Sequence, residues 1–143
     1  MNKNLDDCKK EILNDISRTI SFRLCSIGVD LGLFEDLSIN GPSTSKEIAL
    51  RKKYNERYIR EWLYGISKTG YIYFDKETRK ASISNEYSEL FNSEGGKNSF
   101  KGFFKVINNM LLPYEKLIGS FKNGGGIKFE EYNSEFWKGL GLT

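Results

Sequence analysis

No histidine occurs anywhere in the 143 residues. That excludes Ser-His-Asp and Cys-His nucleophile pairs and every imidazole metal ligand. Cysteine is nearly as scarce, with only Cys8 and Cys25 present. Both read as lying on one helix, which holds them roughly 25 Å apart. A disulfide needs Cα atoms within about 7 Å. They are therefore expected as free thiols of a reducing cytoplasm, and two distant thiols do not make a zinc site alone. No apolar run approaches the roughly 20 residues of a membrane span. The polar, acidic start MNKNLDDCKKEIL does not read as a signal peptide. Charge of one sign is also lacking: the net charge of +3 is too small to force a nucleic-acid reading. Residues 1–50 carry −2, residues 51–94 carry +2 and residues 95–143 carry +3. The densest basic stretch is RKKYNERYIR, residues 51–60.

What is present is helical periodicity. Leu5, Ile12, Ile16, Ile20, Leu24, Ile27 and Leu31 form one stripe, mostly at four-residue steps, on a helix expected over about 5–27. GVDLGLFEDL reads as a short helical turn interrupted by glycine. NGPSTS is a loop. Thr44 and Glu47 form a capping box that opens a helix to about residue 53. Asn55 can cap the next helix, to about residue 68, with Ile59, Trp62, Leu63 and Ile66 on its apolar face. Trp62 and the run 71–74 read as core. Gly70 suits a left-handed stop. YIYFD and KASIS flank a charged tip and predict a two-stranded hairpin, with Ile72, Phe74, Ala81 and Ile83 facing inward. NEYSELF is a short helix and NSEGGKNS a linker. From Phe100 a second apolar stripe runs through Pro113, which predicts a kink or a break between two stacked helices. Ser134 is placed to cap a last helix carrying Phe136, Trp137 and Leu140.

Helix, helix, helix, hairpin over residues 16–84 is the order of a winged helix-turn-helix. The fold expected is mainly α, with a two-stranded β wing and long flanking N- and C-terminal helices. Two domains are expected: an arm helix with the winged helix over 1–91, and a helical extension with a hinge over 92–143. One apolar stripe at each end exceeds what so small a module covers internally. Left bare it is a liability, so a homodimer is the expected partner state.

Four motifs then carry a resemblance: Leu33-Phe34, SKEIA at 45–49, ERYIREWL at 56–63 and GYIYFD at 70–75. FKNGGGIKFEEY at 121–132 adds a fifth. In this order they resemble the N-terminal region of class I S-adenosylmethionine-dependent methyltransferases with a winged-helix front domain. The resemblance implies a domain used for dimerisation and for covering the active site. For a full-length relative it implies S-adenosylmethionine, a small-molecule substrate and in-line methyl transfer. It carries no catalytic, cofactor-binding or metal residue onto this chain. The methyltransferase fold holds its cofactor at a strand followed by a D-x-G-x-G-x-G turn. Nothing here matches, so the chain reads as a front domain without a catalytic half. Gly124, Gly125 and Gly126 follow a helix and read as a hinge, with Gly124 as the helix stop.

Two sets of candidate residues follow. Phe104, Tyr114, Phe121 and Tyr132 are candidates for one wall of an apolar substrate pocket, with plain helix packing as their alternative. The rival function is a DNA-binding regulator, in which Arg57, Arg60, Tyr64, Lys68 and Arg79 face the nucleic acid. Glu56 and Glu61 would repel phosphate, and Glu56 and Arg60 form a favourable i,i+4 pair. Nucleic acid and membrane are not the expected partners.

Overall fold

A computed structural model describes residues 3–94 and 97–141. Gly95 and Gly96 of the expected linker lie outside the described residues. The first helix, α1, spans Leu5–Asp30. Asn4 caps it by accepting the Asp7 N–H at 2.9 Å, and Asp6 and Asp7 sit where the helix dipole favours negative charge. The helix runs past the expected end at Ile27, straight through Gly28. That glycine is a packing point. A Cβ there would lie 2.5 Å from the Trp62 ring and 2.6 Å from that of Phe34. Trp62 locks the contact by donating its indole N–H to the Leu24 carbonyl at 2.8 Å.

Gly32, at φ 62°, turns the chain into α2, Leu33–Asn40. Next comes α3, Ser45–Lys52, where both arms of the Thr44–Glu47 capping box are formed. Asn55 caps α4, Glu56–Ser67, which buries Ile59, Trp62, Leu63 and Ile66 as its spacing requires. The hairpin pairs β1, Ile72–Phe74, with β2, Ala81–Ile83, antiparallel, Ile72 opposite Ile83. Ser43 adds a third rung: it exchanges both backbone hydrogen bonds with Ala81, at 2.9 and 2.8 Å. The loop NGPSTS is thus tied to the wing. These elements close over Leu33, Phe34, Leu37, Ile48, Leu63 and Ile66, all fully buried. Together they form a winged helix with flanking helices.

Beyond the wing, α5 spans Asn85–Asn92 and stacks Phe91 on Phe34, 4.2 Å between ring centroids. Helix α6, Lys101–Met110, reaches the body through Phe104, whose ring lies 5.3 Å from that of Phe22 on α1. Helix α7, Tyr114–Asn123, follows Pro113, and a 3-10 turn at Phe129–Glu131 leads to α8, Ser134–Leu140. Two expectations change here. Pro113 does break the helix, but α7 buries none of its residues; the helix packed on α6 is α8. Gly139 permits that contact, since a Cβ there would meet the Gly102 carbonyl, Lys105 and Val106 at 2.9 Å. The cap of α8 is Asn133, not Ser134. Its oxygen accepts the Phe136 N–H at 3.1 Å while its amide reaches Asn109 on α6. Serine and asparagine cap equally well in isolation, so this tertiary hydrogen bond selects between them.

Candidate functional site

Three surfaces hold the candidate residues. The first is apolar and bare. Over the first four turns of α1 the stripe is left uncovered by the described residues: Leu5, Ile12, Ile16 and Ile20 are all more than half exposed. Only Leu24 and Leu31, at the far end, pack on the core. A second bare strip follows from α6 into α7 through Phe103, Ile107, Met110, Leu111, Tyr114 and Leu117.

The second surface is an aromatic cavity of about 290 Å³ between α1, α5 and α6. Phe22, Tyr71, Tyr87, Phe91 and Phe104 line it, with the Cys25 thiol in the wall. Burial pushes that thiol up to about 12. Burial also raises the Tyr71 phenol, helped by the nearby Cys25 and Tyr87. Of the four substrate-wall candidates only Phe104 is here. Tyr114 and Phe121 are exposed on α7, and Tyr132 stacks on Phe136 at 4.6 Å. The four are not brought together.

The third surface is the open face of α4 and the wing. Arg51, in the basic stretch, is not part of it. Its guanidinium forks onto the buried Asp36 carboxylate, Nε to Oδ1 at 3.0 Å, and reaches Ser43 Oγ at 2.9 Å. The hydrogen bond to Asp36 raises its already high pKa. The five DNA-contact candidates separate. Arg57 is exposed near the start of α4. Arg60 is held by Glu56 at 3.1 Å, and Glu56 also accepts the Ser45 hydroxyl at 2.6 Å. Tyr64, Lys68 and Arg79 instead converge in a recess between the last turn of α4 and the hairpin. Lys76, Tyr73 and Phe74 join them. Arg79 and Tyr64 are both in the DNA-facing set; the hydrogen bond that joins them, across fifteen positions, is visible only in the fold.

Gly124, Gly125 and Gly126 all have positive φ, at 76°, 95° and 67°. The Gly124 N–H is spent on the Ser120 carbonyl at 2.8 Å, which closes α7. No atom lies within 4 Å of where any of their Cβ atoms would sit. The triplet is an exposed turn without the walls of a cradle. The only sheet among the described residues is the antiparallel hairpin, so no strand leads into a glycine turn of the kind S-adenosylmethionine needs. The described residues therefore do not fit that cofactor. Among them no three His, Cys, Asp or Glu side chains are grouped to hold a metal. No described helix is long and apolar enough to cross a membrane.

The fold resembles solved structures at low identity. PigF with SAH matches at TM-score 0.68 and 16% identity, covering 80% of this chain and 33% of that one. S-adenosylmethionine-dependent methyltransferase SibL in its apo form matches at 0.65 and 15%, covering 92% and 43%. N,N-8-amino-8-demethyl-D-riboflavin dimethyltransferase (RosA) from Streptomyces davawensis matches at 0.69 and 14%, covering 98% and 45%. The chain thus spans between a third and a half of the length of these proteins, and the likeness is one of fold. No curated protein matches the chain. A family model described as Rv2258c-like winged HTH domain matches residues 20–92, just over half of the chain, and the chain belongs to that family.

Proposed function

We infer that this winged-helix chain serves as the dimerisation and substrate-pocket-covering domain of an S-adenosylmethionine-dependent methyltransferase-like protein, without catalytic residues of its own. The likeness to methyltransferase structures along 80% or more of the chain supports the association. The observation that carries the pairing is the bare stripe of α1. Its side chains fall at steps of seven and four residues and so share one helix face. None of the described residues covers them, and a contiguous apolar face of this kind marks an interface. The second bare strip, on α6 and α7, suits either the partner chain or the substrate side of a catalytic domain. Phe104, Tyr114, Phe121 and Tyr132 would then serve different surfaces, Tyr114 and Phe121 being those free to contact a substrate. The three glycines serve as the hinge. The cytoplasm is the compartment that fits two free thiols.

Size exclusion with light scattering tests the pairing. A dimer is expected, and a clean monomer at high concentration overturns it. Isothermal titration with S-adenosylmethionine tests the rest: no binding by residues 1–143 is expected, and micromolar binding would sink the non-catalytic role.

A further inference from the structure

We propose that the recess between α4 and the hairpin binds a mononucleotide-like ligand, an aromatic ring carrying a phosphate, held by Lys68, Lys76 and Arg79 and stacked against Tyr73 or Phe74. This does not rest on the methyltransferase reading.

The recess is an open one of about 580 Å³, within the size range of small-molecule sites. Its three cations are unneutralised. Arg51 and Arg60 are each paired with a carboxylate, but none of Lys68, Lys76 and Arg79 has a salt bridge among the described residues. Asp75, in the hairpin, is spent on the turn. Its carboxylate accepts the backbone N–H groups of Glu77 and Thr78 at 2.8 and 3.3 Å. No carboxylate lines the recess. Three like charges gathered in one recess repel one another until an anion arrives.

Arg79 is positioned for such an anion. One Nη donates to the Tyr64 hydroxyl at 2.6 Å, and Tyr64 is itself braced edge-on against Phe74, 5.2 Å between centroids. The remaining guanidinium donors are unspent and match a phosphate face two at a time. Arg79 also sits at φ 56°, a left-handed position that glycine or asparagine fills at less cost. The ring walls supply the second half of the ligand. Tyr73 is largely exposed beside the cations, and aromatic faces stack on any base. A DNA duplex fits less well. It requires phosphate contacts spread along the helix, but the N-terminal half of α4 has Arg60 neutralised by Glu56 and presents Glu61 to solvent.

The test is isothermal titration of the full chain with the four ribonucleoside 5′-monophosphates, inorganic phosphate and adenosine. At least one monophosphate is expected to bind with Kd below about 1 mM. Phosphate alone and adenosine should each bind at least about tenfold more weakly, because each offers half of the contacts. Arg79→Gly should leave the melting temperature unchanged or higher, since glycine accepts the positive φ. The same variant should weaken the monophosphate about tenfold. Lys68→Gln and Lys76→Gln should each weaken it severalfold, less so in high salt. The proposal is overturned if no monophosphate binds or if Arg79→Gly binds as tightly as the parent. It is also overturned if a DNA duplex binds through these residues more tightly than every monophosphate.

Discussion

Phe34 and Phe121 are the same side chain in opposite surroundings. Phe34 is fully buried, stacked on Phe91 and met edge-on by Trp62 at 5.2 Å. Phe121 is 84% exposed on α7, a helix that buries nothing. The contrast extends to the regions around them. In the winged helix each amphipathic face finds a partner within the chain, so short helices of eight to twelve residues hold together. Such helices are marginal in isolation and owe their stability to packing. In the flanks, the first four turns of α1 and a strip from α6 into α7 carry equally regular apolar residues that stay exposed among the described residues. The body is thus a finished core, whereas the flanks keep apolar side chains exposed.

That comparison can be broken by substitution. Phe34→Ala should cost about 3–5 kcal/mol in chemical denaturation, whereas Phe121→Ala should stay within about 0.5 kcal/mol for the monomer. Equal losses would erase the distinction. Two glycines sharpen it further. Gly28→Ala forces a methyl group into the Trp62 and Phe34 rings and should cost about 1–3 kcal/mol. Gly119, inside α7, has nothing within 4 Å of its added Cβ. Gly119→Ala should raise the melting temperature, with up to about 1 kcal/mol from helix propensity.

Ile16→Asp, on the bare half of α1, should change monomer stability by less than about 0.5 kcal/mol. If the pairing is right it should halve the mass seen by light scattering; a mass unaffected by it counts against α1 as the interface. The smallest expected effect concerns the two thiols. Cys25 belongs to the body, and burial pushes its thiol up to about 12 from 9.0. As pH rises the unfolded chain loses this proton first, so the unfolded state gains. The contribution is intact below pH 9.0 and lost as pH climbs toward 12. A melting curve taken above pH 9 should therefore drop more for the parent than for Cys25→Ala. Cys8, on the flank, should alkylate readily at neutral pH while Cys25 resists.

Much of the fold could be read along the chain. The Thr44–Glu47 box, the Asn55 cap and the Gly124 stop are each decided by residues within one turn. The break at Pro113 follows from a missing N–H. The site was less legible. Arg51 counts as part of a basic patch in the sequence, yet it is a structural fork onto Asp36, fifteen positions earlier. Lys68 and Arg79 look like members of one DNA-facing set with Arg57 and Arg60. The fold divides that set, because Glu56 captures Arg60 while the hairpin swings Arg79 over Tyr64. The tie between Ser43 and Ala81 had no signal in a stretch that looks like any polar loop.

The sequence by itself determined most of the helix starts and stops, though not the end of α1 or the cap of α8, and also which helix faces are apolar and where the hairpin turns. Those features depend on backbone propensity and on neighbours within about four residues. Only the tertiary structure decided which apolar face is covered, which cation keeps its charge free and which glycine is a packing contact rather than an open turn. Gly28 and Gly124 are alike on paper. A Cβ on the first would meet two aromatic rings brought from other helices, and a Cβ on the second would meet open space. Periodicity records that a face is apolar; what lies against that face depends on residues far away along the chain.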